Sequence, residues 1–351
     1  MTLQTIADAL GVSRTTVSNA YNRPNQLNPE LRRKVLETAA ALGYAGPDPA
    51  ARRLRSGRSE AIGLLFCDTL SRAFADPAAM QFLQGLAGQT EPAGLPLLLL
   101  AGPQPDGGDV VTAVREAVVD SFVVYSLPED HPQIQAALER RVPVVVVDEP
   151  RLPGMSFIGV DDRGGSRQAA QHLVDLGHRR FGAISMRVID DDHPGGRLVP
   201  ERLAAATYTV TRERLAGYRD ALEAAGIDWS AVPIEERPGN SPEAGAIAAR
   251  ELLSLDPRPT AILANTDLLA FGVLGAAREL GIDVPGELSV VGFDDVPGAA
   301  YSVPPLTTVR QPLEEKGIAA ARVVLERPEE PTELLLPTEL VVRQSSGPAP
   351  G

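Results

Sequence analysis

The chain has 351 residues, 44% of them hydrophobic, and a formal net charge of −13, enough apolar material for a large buried core and two or three domains. Its one cysteine, Cys67, excludes an internal disulfide. No apolar run reaches the roughly 20 residues of a membrane span, and no basic-then-apolar leader opens the chain, so the expectation is a cytoplasmic protein with no membrane partner. The acidic total hides an asymmetry: residues 1–59 hold eight Arg and one Lys against four acids, a net of +5, which leaves −18 for the remainder. A basic amino-terminal segment can act locally on an anionic partner, because salt screens the acidic body beyond about 10 Å.

Residues 3–22 predict a helix, a tight turn and a second helix. Leu3, Ile6, Ala7 and Leu10 recur at helical intervals. Gly11 suits the positive φ that ends a helix. Val12 packs inward, and Ser13 is a good N-cap for the helix that follows. Val17 and Ala20 then face Ala7 and Ile6, the small-residue pattern of two helices crossing steeply. The second helix presents Arg14, Thr15, Ser18 and Asn19 at its exposed start. These side chains are donor-rich and short, and they suit base edges in a major groove. Asn28 and Pro29 open a third helix through Leu31, Val35, Leu36, Ala39 and Leu42; it stops at Gly43, and Tyr44 closes the unit. Asp48-Pro49 can start a short helix bearing Arg52, Arg53, Leu54 and Arg55, marginal alone and stable only when docked.

From residue 61 the pattern changes. Apolar runs at Ala61–Phe66, Leu95–Leu100, Ser121–Tyr125, Pro143–Val147, Phe157–Val160, Phe181–Ile184, Ala261–Leu263 and Leu288–Val291 alternate with amphipathic segments such as Asp130–Arg141, Ser166–Leu176, Glu213–Ala225, Pro242–Leu253 and Asp267–Leu280. Such alternation predicts parallel sheets covered by helices on both faces, with ligands beyond the carboxyl ends of the strands. That rule selects Asp68 and Thr69, Ser126, Asp148, Asp267, and Asp294 with Asp295. Carboxylates at several strand ends suit a ligand rich in hydroxyl groups. Asp68 and Asp267 have helix capping as the rival reading, and Asp294 is assigned to a chain crossing rather than to the ligand. His178, beside Gly177 at a helix end, reads as structural. Asp190, Asp191, Asp192 and His193 read as a solvated loop rather than a metal site. None of the four histidines sits in a nucleophile or zinc motif, and no phosphate-binding or dinucleotide-binding glycine motif joins a strand to a helix. No enzyme, cofactor or metal is expected.

The order of the motifs carries a resemblance. The headpiece is followed by Leu176-Gly177-His178-Arg179-Arg180, Arg214-Leu215-Ala216-Gly217-Tyr218, Ala264-Asn265-Thr266-Asp267, Ser289–Asp295 and Pro305–Gln311. Together they resemble the lactose-repressor (LacI) family of bacterial transcription regulators over nearly the whole chain. The resemblance implies an all-α helix-turn-helix headpiece at 1–46 and a hinge helix and linker at 47–60. It also implies a two-lobed α/β effector domain at 61–345, of the periplasmic-binding-protein kind with parallel sheets, and a flexible tail at 346–351. The lobe crossings are expected near Val160–Arg163, Asp294–Pro297 and Arg310–Pro312. It further implies a homodimer on a pseudo-palindromic DNA operator, released or recruited by a small effector, a sugar or sugar derivative. Thr2, Ser13, Arg14, Thr15, Ser18, Asn19 and Lys34 are then the DNA-facing residues. Arg52, Leu54 and Arg55 belong to the hinge, with Leu54 wedged into the minor groove. Asp68, Phe74, Ser126, Asp148, Arg214, Asp267 and Phe293 are the effector-facing residues, the two aromatics covering an apolar sugar face.

Two departures from the family pattern stand out: one extra residue between Tyr44 and Leu54, and a segment, Arg187–Thr211, that is short in most members. That segment springs from the cleft side and is a candidate lid, with Arg197, Arg202, Tyr208 or Arg212 as ligand contacts. The rival readings are an exported solute-binding protein with the same cleft, an α/β enzyme acting on sugars, and a corepressor-type regulator answering to a nucleoside or phosphorylated metabolite.

Overall fold

A computed structural model describes residues 2–46, 61–102 and 109–351, in two compact units, Met1–Ser59 and Glu60–Gly351. The expected hinge, with Arg52, Leu54 and Arg55, lies outside the described residues.

In the first unit α1 spans Leu3–Leu10, α2 Arg14–Asn22 and α3 Pro29–Ala41. Each start is fixed by a side chain that takes an orphan backbone donor: Thr2 accepts from Thr5, Ser13 from Thr16 and Asn28 from Glu30. Gly11 ends α1 with φ 63°, a conformation in which a side chain would be strained. Ile6 and Ala7 of α1, Val17 and Ala20 of α2, and Val35 and Ala39 of α3 form one buried core, so the expected contact of Ile6 and Ala7 with Val17 and Ala20 is made. Arg32 Nε donates to the Ala20 carbonyl at 3.2 Å, and Tyr44 meets Tyr21 edge-on at 6.1 Å.

The second unit holds two sheets. In the first, β1 (Ile62–Phe66), β2 (Leu97–Leu100), β3 (Ser121–Tyr125), β4 (Val144–Val147), β5 (Ser156–Val160) and β12 (Glu333–Leu336) are all parallel, in the order β12-β5-β4-β3-β1-β2. In the second, β6 (Phe181–Met186), β7 (Gly196–Arg197), β8 (Ile234–Arg237), β9 (Ala261–Ala264), β10 (Ser289–Asp294), β11 (Thr307–Arg310) and β13 (Glu339–Val341) run β13-β11-β10-β9-β6-β8-β7, with only the two edge strands antiparallel.

Helices cover both sheets. The first lobe has α4 (Leu70–Ala75), α5 (Pro77–Thr90), α6 (Val110–Glu116), α7 (Pro132–Glu139) and α14 (Leu313–Glu326). The second has α8 (Asp162–Asp175), α9 (Pro200–Ala204), α10 (Thr209–Ala224), α11 (Pro242–Leu253), α12 (Asp267–Glu279) and α13 (Gly298–Tyr301). Helices α5 and α14 approach through glycine: a Cβ on Gly85 would sit 2.0 Å from the Glu314 carbonyl oxygen, and one on Gly317 2.1 Å from that of Phe82.

The chain passes between lobes between β5 and α8, between β11 and α14, and between β12 and β13. The first and second fall where expected. The expected crossing at Asp294–Pro297 is corrected: β10 and β11, on either side of it, belong to the same sheet. The third crossing falls instead at residues 337–338.

The expected flexible tail at 346–351 is corrected at its first residues, which continue the anchoring of Ser345. Ser345 is fully buried; its hydroxyl donates to the Val290 carbonyl at 2.6 Å and accepts from the Thr307 amide at 2.8 Å. Ser346 meets His172 and Thr307, and Gly347 bonds both Ser289 and His178. His178 is structural as expected, through hydrogen bonds to Thr260 and Ser289 rather than through a helix dipole alone; burial lowers its pKa.

Candidate functional site

Two surfaces carry chemistry. On the first unit, Arg14 and Thr15 are exposed in the first turn of α2, with Ser18 and Asn19 partly covered one turn on. Lys34 is exposed on α3. Thr2 and Ser13 spend their side chains on capping, which fixes where α1 and α2 begin. The first turn of α2 thus offers backbone donors, a guanidinium and short hydroxyls together.

The second surface lies where the carboxyl ends of the two sheets face each other. Asp148, just after β4, has φ 67°, Ser126, after β3, has φ 50°, and Asp294, ending β10, has φ 119°. Each non-glycine residue in that region costs about 1–3 kcal/mol, which the surrounding structure must impose. What surrounds them is a buried chain of charge. The Ser126 hydroxyl donates to Asp148 Oδ2 at 3.3 Å, and Lys316 Nζ donates to Asp148 Oδ1 at 2.5 Å. Lys316 Nζ also bonds Gln311 Oε1, and Gln311 Nε2 donates to Asp294 Oδ1 at 2.6 Å. Arg214 then donates from Nη1 to Asp294 Oδ1 at 3.4 Å and to the Asn265 carbonyl at 2.5 Å, and from Nε to Asp162 Oδ1 at 2.8 Å. Its guanidinium carbon stands 3.7 Å above the Phe293 ring, within cation–π range. The chain runs from the first lobe through Gln311, at one crossing, to the second lobe, and ends at Asp162, at another.

Burial sets the proton affinities. Desolvation lifts Asp294 to about 7 against the opposing pull of Arg214. Burial works against the charge on Arg214, yet Asp162 and Asp294 outweigh it and raise its pKa. Several polar side-chain atoms nearby have no hydrogen-bond partner, among them both amide atoms of Asn265, Ser185 Oγ at the end of β6 and Thr211 Oγ1 in the first turn of α10. Buried polar groups are normally bonded, and these atoms lack a partner among the described residues.

Of the expected effector residues, the structure brings Ser126, Asp148 and Arg214 into this chain. It employs others elsewhere. Asp267 is fully buried: Oδ2 accepts from the Val296 amide at 2.9 Å and Oδ1 from Thr308 at 2.5 Å. It lies against Gly292, where a Cβ would come within 2.4 Å of Oδ1. Its carboxyl braces the turn after β10, and burial followed by Asp294 raises its pKa. Phe293 is fully buried with its ring face under Arg214. Phe74 is half-exposed on α4. Asp68 accepts from the Thr69 amide and pairs with Arg72 at 3.3 Å. Sequence reasoning passed over Lys316, Gln311 and Asp162. Lys316 and Gln311 sit among β11 and α14 residues with no apolar run to flag them; Asp162 lies two residues past β5, after the N-cap Asp161, and the strand-end rule reaches it.

The Arg187–Thr211 segment is a sheet edge rather than a free lid. Its β7 pairs with β8. Arg202 bonds Asp191 and the buried Glu236, at 2.7 and 2.6 Å, and Arg197 meets Glu235 at 3.1 Å. Tyr208 donates to Asp190 at 3.4 Å, and Arg212 pairs with Glu213 at 3.5 Å. The lobes touch at its end: Glu129 N donates to the Thr207 carbonyl at 3.2 Å, and Glu149 Oε2 accepts from Val210 N at 2.9 Å. On another rim Asn240 Nδ2 donates to Asp76 Oδ2 at 3.1 Å. Among the described residues no helix is long and apolar enough to cross a membrane, and no group of His, Cys, Asp and Glu could hold a metal ion.

Comparison with known proteins agrees with this geometry. Residues 170–346 match the family described as a periplasmic binding protein-like domain. An HTH-type transcriptional regulator of Mycobacterium tuberculosis is 44% identical, over 99% of this chain and 97% of its own. A crystal structure of a LacI-family transcriptional regulator from Corynebacterium glutamicum superposes with a TM-score of 0.73 at 37% identity, covering 99% of this chain and 98% of that one. A complex of the transcriptional regulator CelR with cellobiose superposes with a TM-score of 0.71 at 29% identity, covering 98% and 99%.

Proposed function

The chain belongs to the LacI family of HTH-type transcriptional regulators, and from that premise we propose that it is a repressor whose operator binding is set by a hydroxyl-rich, uncharged effector held between its lobes. It works in the cytoplasm as a homodimer on a pseudo-palindromic site. Helix α2 enters the major groove, where Arg14, Thr15, Ser18 and Asn19 read base edges. Lys34, the capped helix starts at Thr2 and Ser13, and the hinge residues Arg52 and Arg55 hold phosphates, while Leu54 enters the minor groove. Catalysis has no part in this reading, and no cofactor is needed.

The observation that carries the effector half is the buried relay Asp148–Lys316–Gln311–Asp294–Arg214–Asp162, which passes through both lobes and two crossings. A ligand that takes over a partner of Asp148 or Arg214 changes the balance between lobe arrangements, and differential affinity for two arrangements is all that allosteric control requires. The same relay supports the class of ligand. Lys316 and Arg214 are already committed to carboxylates, which leaves no free cation in the relay for a phosphate. Two aromatic faces beside the relay are also taken, Phe293 by Arg214 and Tyr125 by Phe82, stacked at 4.2 Å, which argues against a ligand held by stacking on either ring. Ser126, Asp148, Asp294 and the unbonded Asn265, Ser185 and Thr211 suit ring hydroxyls. The cellobiose bound by CelR is a ligand of this chemical kind.

The test is selection of genomic fragments by the full chain, followed by release assays with a panel of monosaccharides, disaccharides, nucleosides and sugar phosphates. Release by one neutral sugar, with the sugar phosphates inert, is expected. Failure to retain any fragment refutes the regulatory reading, and release by a phosphorylated compound alone refutes the ligand class.

A further inference from the structure

Glu149 is a buried acid at the lobe interface that the relay does not use. It follows β4 of the first lobe, joins Pro150, and is 4% exposed. Its Oε2 accepts the Val210 amide at 2.9 Å, in the first turn of α10, the second-lobe helix that carries Arg214. Among the described residues no Lys, Arg or His lies within ion-pair distance of it. The groups that face it are acidic or neutral: Asp148 beside it, Asp162 at the start of α8, the Cys67 thiol after β1 and the Tyr208 hydroxyl before α10. Asp190 and Arg187 flank Cys67 and Tyr208 from the inserted segment. Its hydrogen-bond donor across the cleft, the Val210 amide, belongs to the other lobe, so parting the lobes removes that bond and that side of its cover.

We propose that closure of the cleft takes up a proton, and that Glu149, clasped against the amino terminus of α10, is the group that receives it. Effector capture by closure rests on the function proposed above; the proton link itself needs neither DNA nor effector. In the closed form desolvation lifts the Glu149 pKa to about 8, against the opposing hydrogen bond from Val210. Separated lobes return the carboxyl to water and to an ordinary value of about 4.3. Between those values the closed form binds one more proton than the open form, so rising pH favours opening by up to tenfold per pH unit. Asp294 is a weaker candidate, because Arg214 and the β11-end Gln311 stay with it when the lobes part.

The experiment places nitroxide labels at Glu116→Cys and Glu223→Cys, exposed positions on the two lobes, in full-length protein carrying Cys67→Ala. Inter-label distances are measured from pH 6 to pH 9 without added ligand. A closed population that falls with rising pH is expected, along with loss of that dependence in Glu149→Gln, whose amide oxygen can still accept from Val210. Infrared difference spectra between the protein with and without Glu149→Gln separate the Glu149 carboxylic C=O band from those of the buried Asp294 and Asp267: the Glu149 band disappears over the same pH range as the distance change. Distances independent of pH, an unchanged response in Glu149→Gln, or a carboxylic band that titrates out of step with the distances each overturn the proposal. A chain that opens with pH but ignores DNA and sugars refutes the regulatory function and leaves the proton link standing.

Discussion

Replacing Lys316 by Met separates a working ion pair from a merely adjacent one. Lys316 exposes 1% of its side chain, and Asp148 10%. With the ammonium gone, Asp148 keeps only the Ser126 hydroxyl at 3.3 Å, and Gln311 Oε1 loses its donor. A buried charge left without its partner costs about 3–5 kcal/mol. The orphaned amide oxygen lies within that sum at about 1 kcal/mol. At this size each kcal/mol lowers Tm by about 2–3 °C, so Lys316→Met should melt roughly 6–15 °C below the unaltered protein. Asp148→Asn removes the stranded charge, and asparagine tolerates the φ of 67° at that position. The double variant Asp148→Asn, Lys316→Met should therefore recover most of the loss, with a coupling energy of about 2–3 kcal/mol in a double-mutant cycle. The assay is urea unfolding followed by circular dichroism, with the cycle closed at constant m-value. A single variant within about 1 kcal/mol of the unaltered protein, or a cycle additive to about 0.5 kcal/mol, would show that the relay carries no energy between its members, and the account of lobe coupling would fall with it.

Ser345→Ala should cost about 1–3 kcal/mol, because it strips partners from the buried Thr307 amide and Val290 carbonyl. Deletion of residues 346–351, which removes the bonds of Ser346 and Gly347, should also destabilise, and equal stability after deletion would restore the flexible tail expected from sequence. Arg214→Lys should leave operator binding intact and remove the response to effector, since one ammonium cannot reach Asp162, Asp294 and the Asn265 carbonyl together; fluorescence anisotropy on labelled operator reads both. Arg14→Ala should relax base preference by about 1–3 kcal/mol at the contacted position, while Lys34→Ala weakens all sequences alike and lowers the salt slope by about 1. A uniform loss for Arg14→Ala would make it a phosphate contact.

The parts of this molecule legible in its sequence are those where a local pattern and the tertiary environment coincide. The headpiece is one: Ile6, Ala7, Val17 and Ala20 announce their packing by spacing alone and are found packed. The all-apolar central strands are another, since a strand buried on both faces leaves a continuous run. Strand β8, Ile-Glu-Glu-Arg, was invisible because its burial is made possible from outside the strand. Glu235, Glu236 and Arg237 are buried only because Arg197 and Arg202 arrive from the inserted segment with the matching charge. The tail is hidden for a similar reason: small polar residues read as frayed until their partners, Val290, Thr307 and His178, are in view.

The same distinction decides the cleft. Position at a strand end is a local property, so the sequence located Asp148, Asp267 and Asp294 equally well. Availability is not local. Asp267 meets a strand residue without a side chain, Gly292, and two donors, Val296 and Thr308, and is consumed as a brace. Asp294, assigned from sequence to a crossing that does not occur there, meets Arg214 and Gln311 instead, groups that a ligand hydroxyl can compete for. Two aspartates of one strand-end pattern are thus separated by which neighbour carries a Cβ and which carries a mobile charge. Substitution at Asp267 should therefore register first in stability, and substitution at Asp294 first in the response to effector.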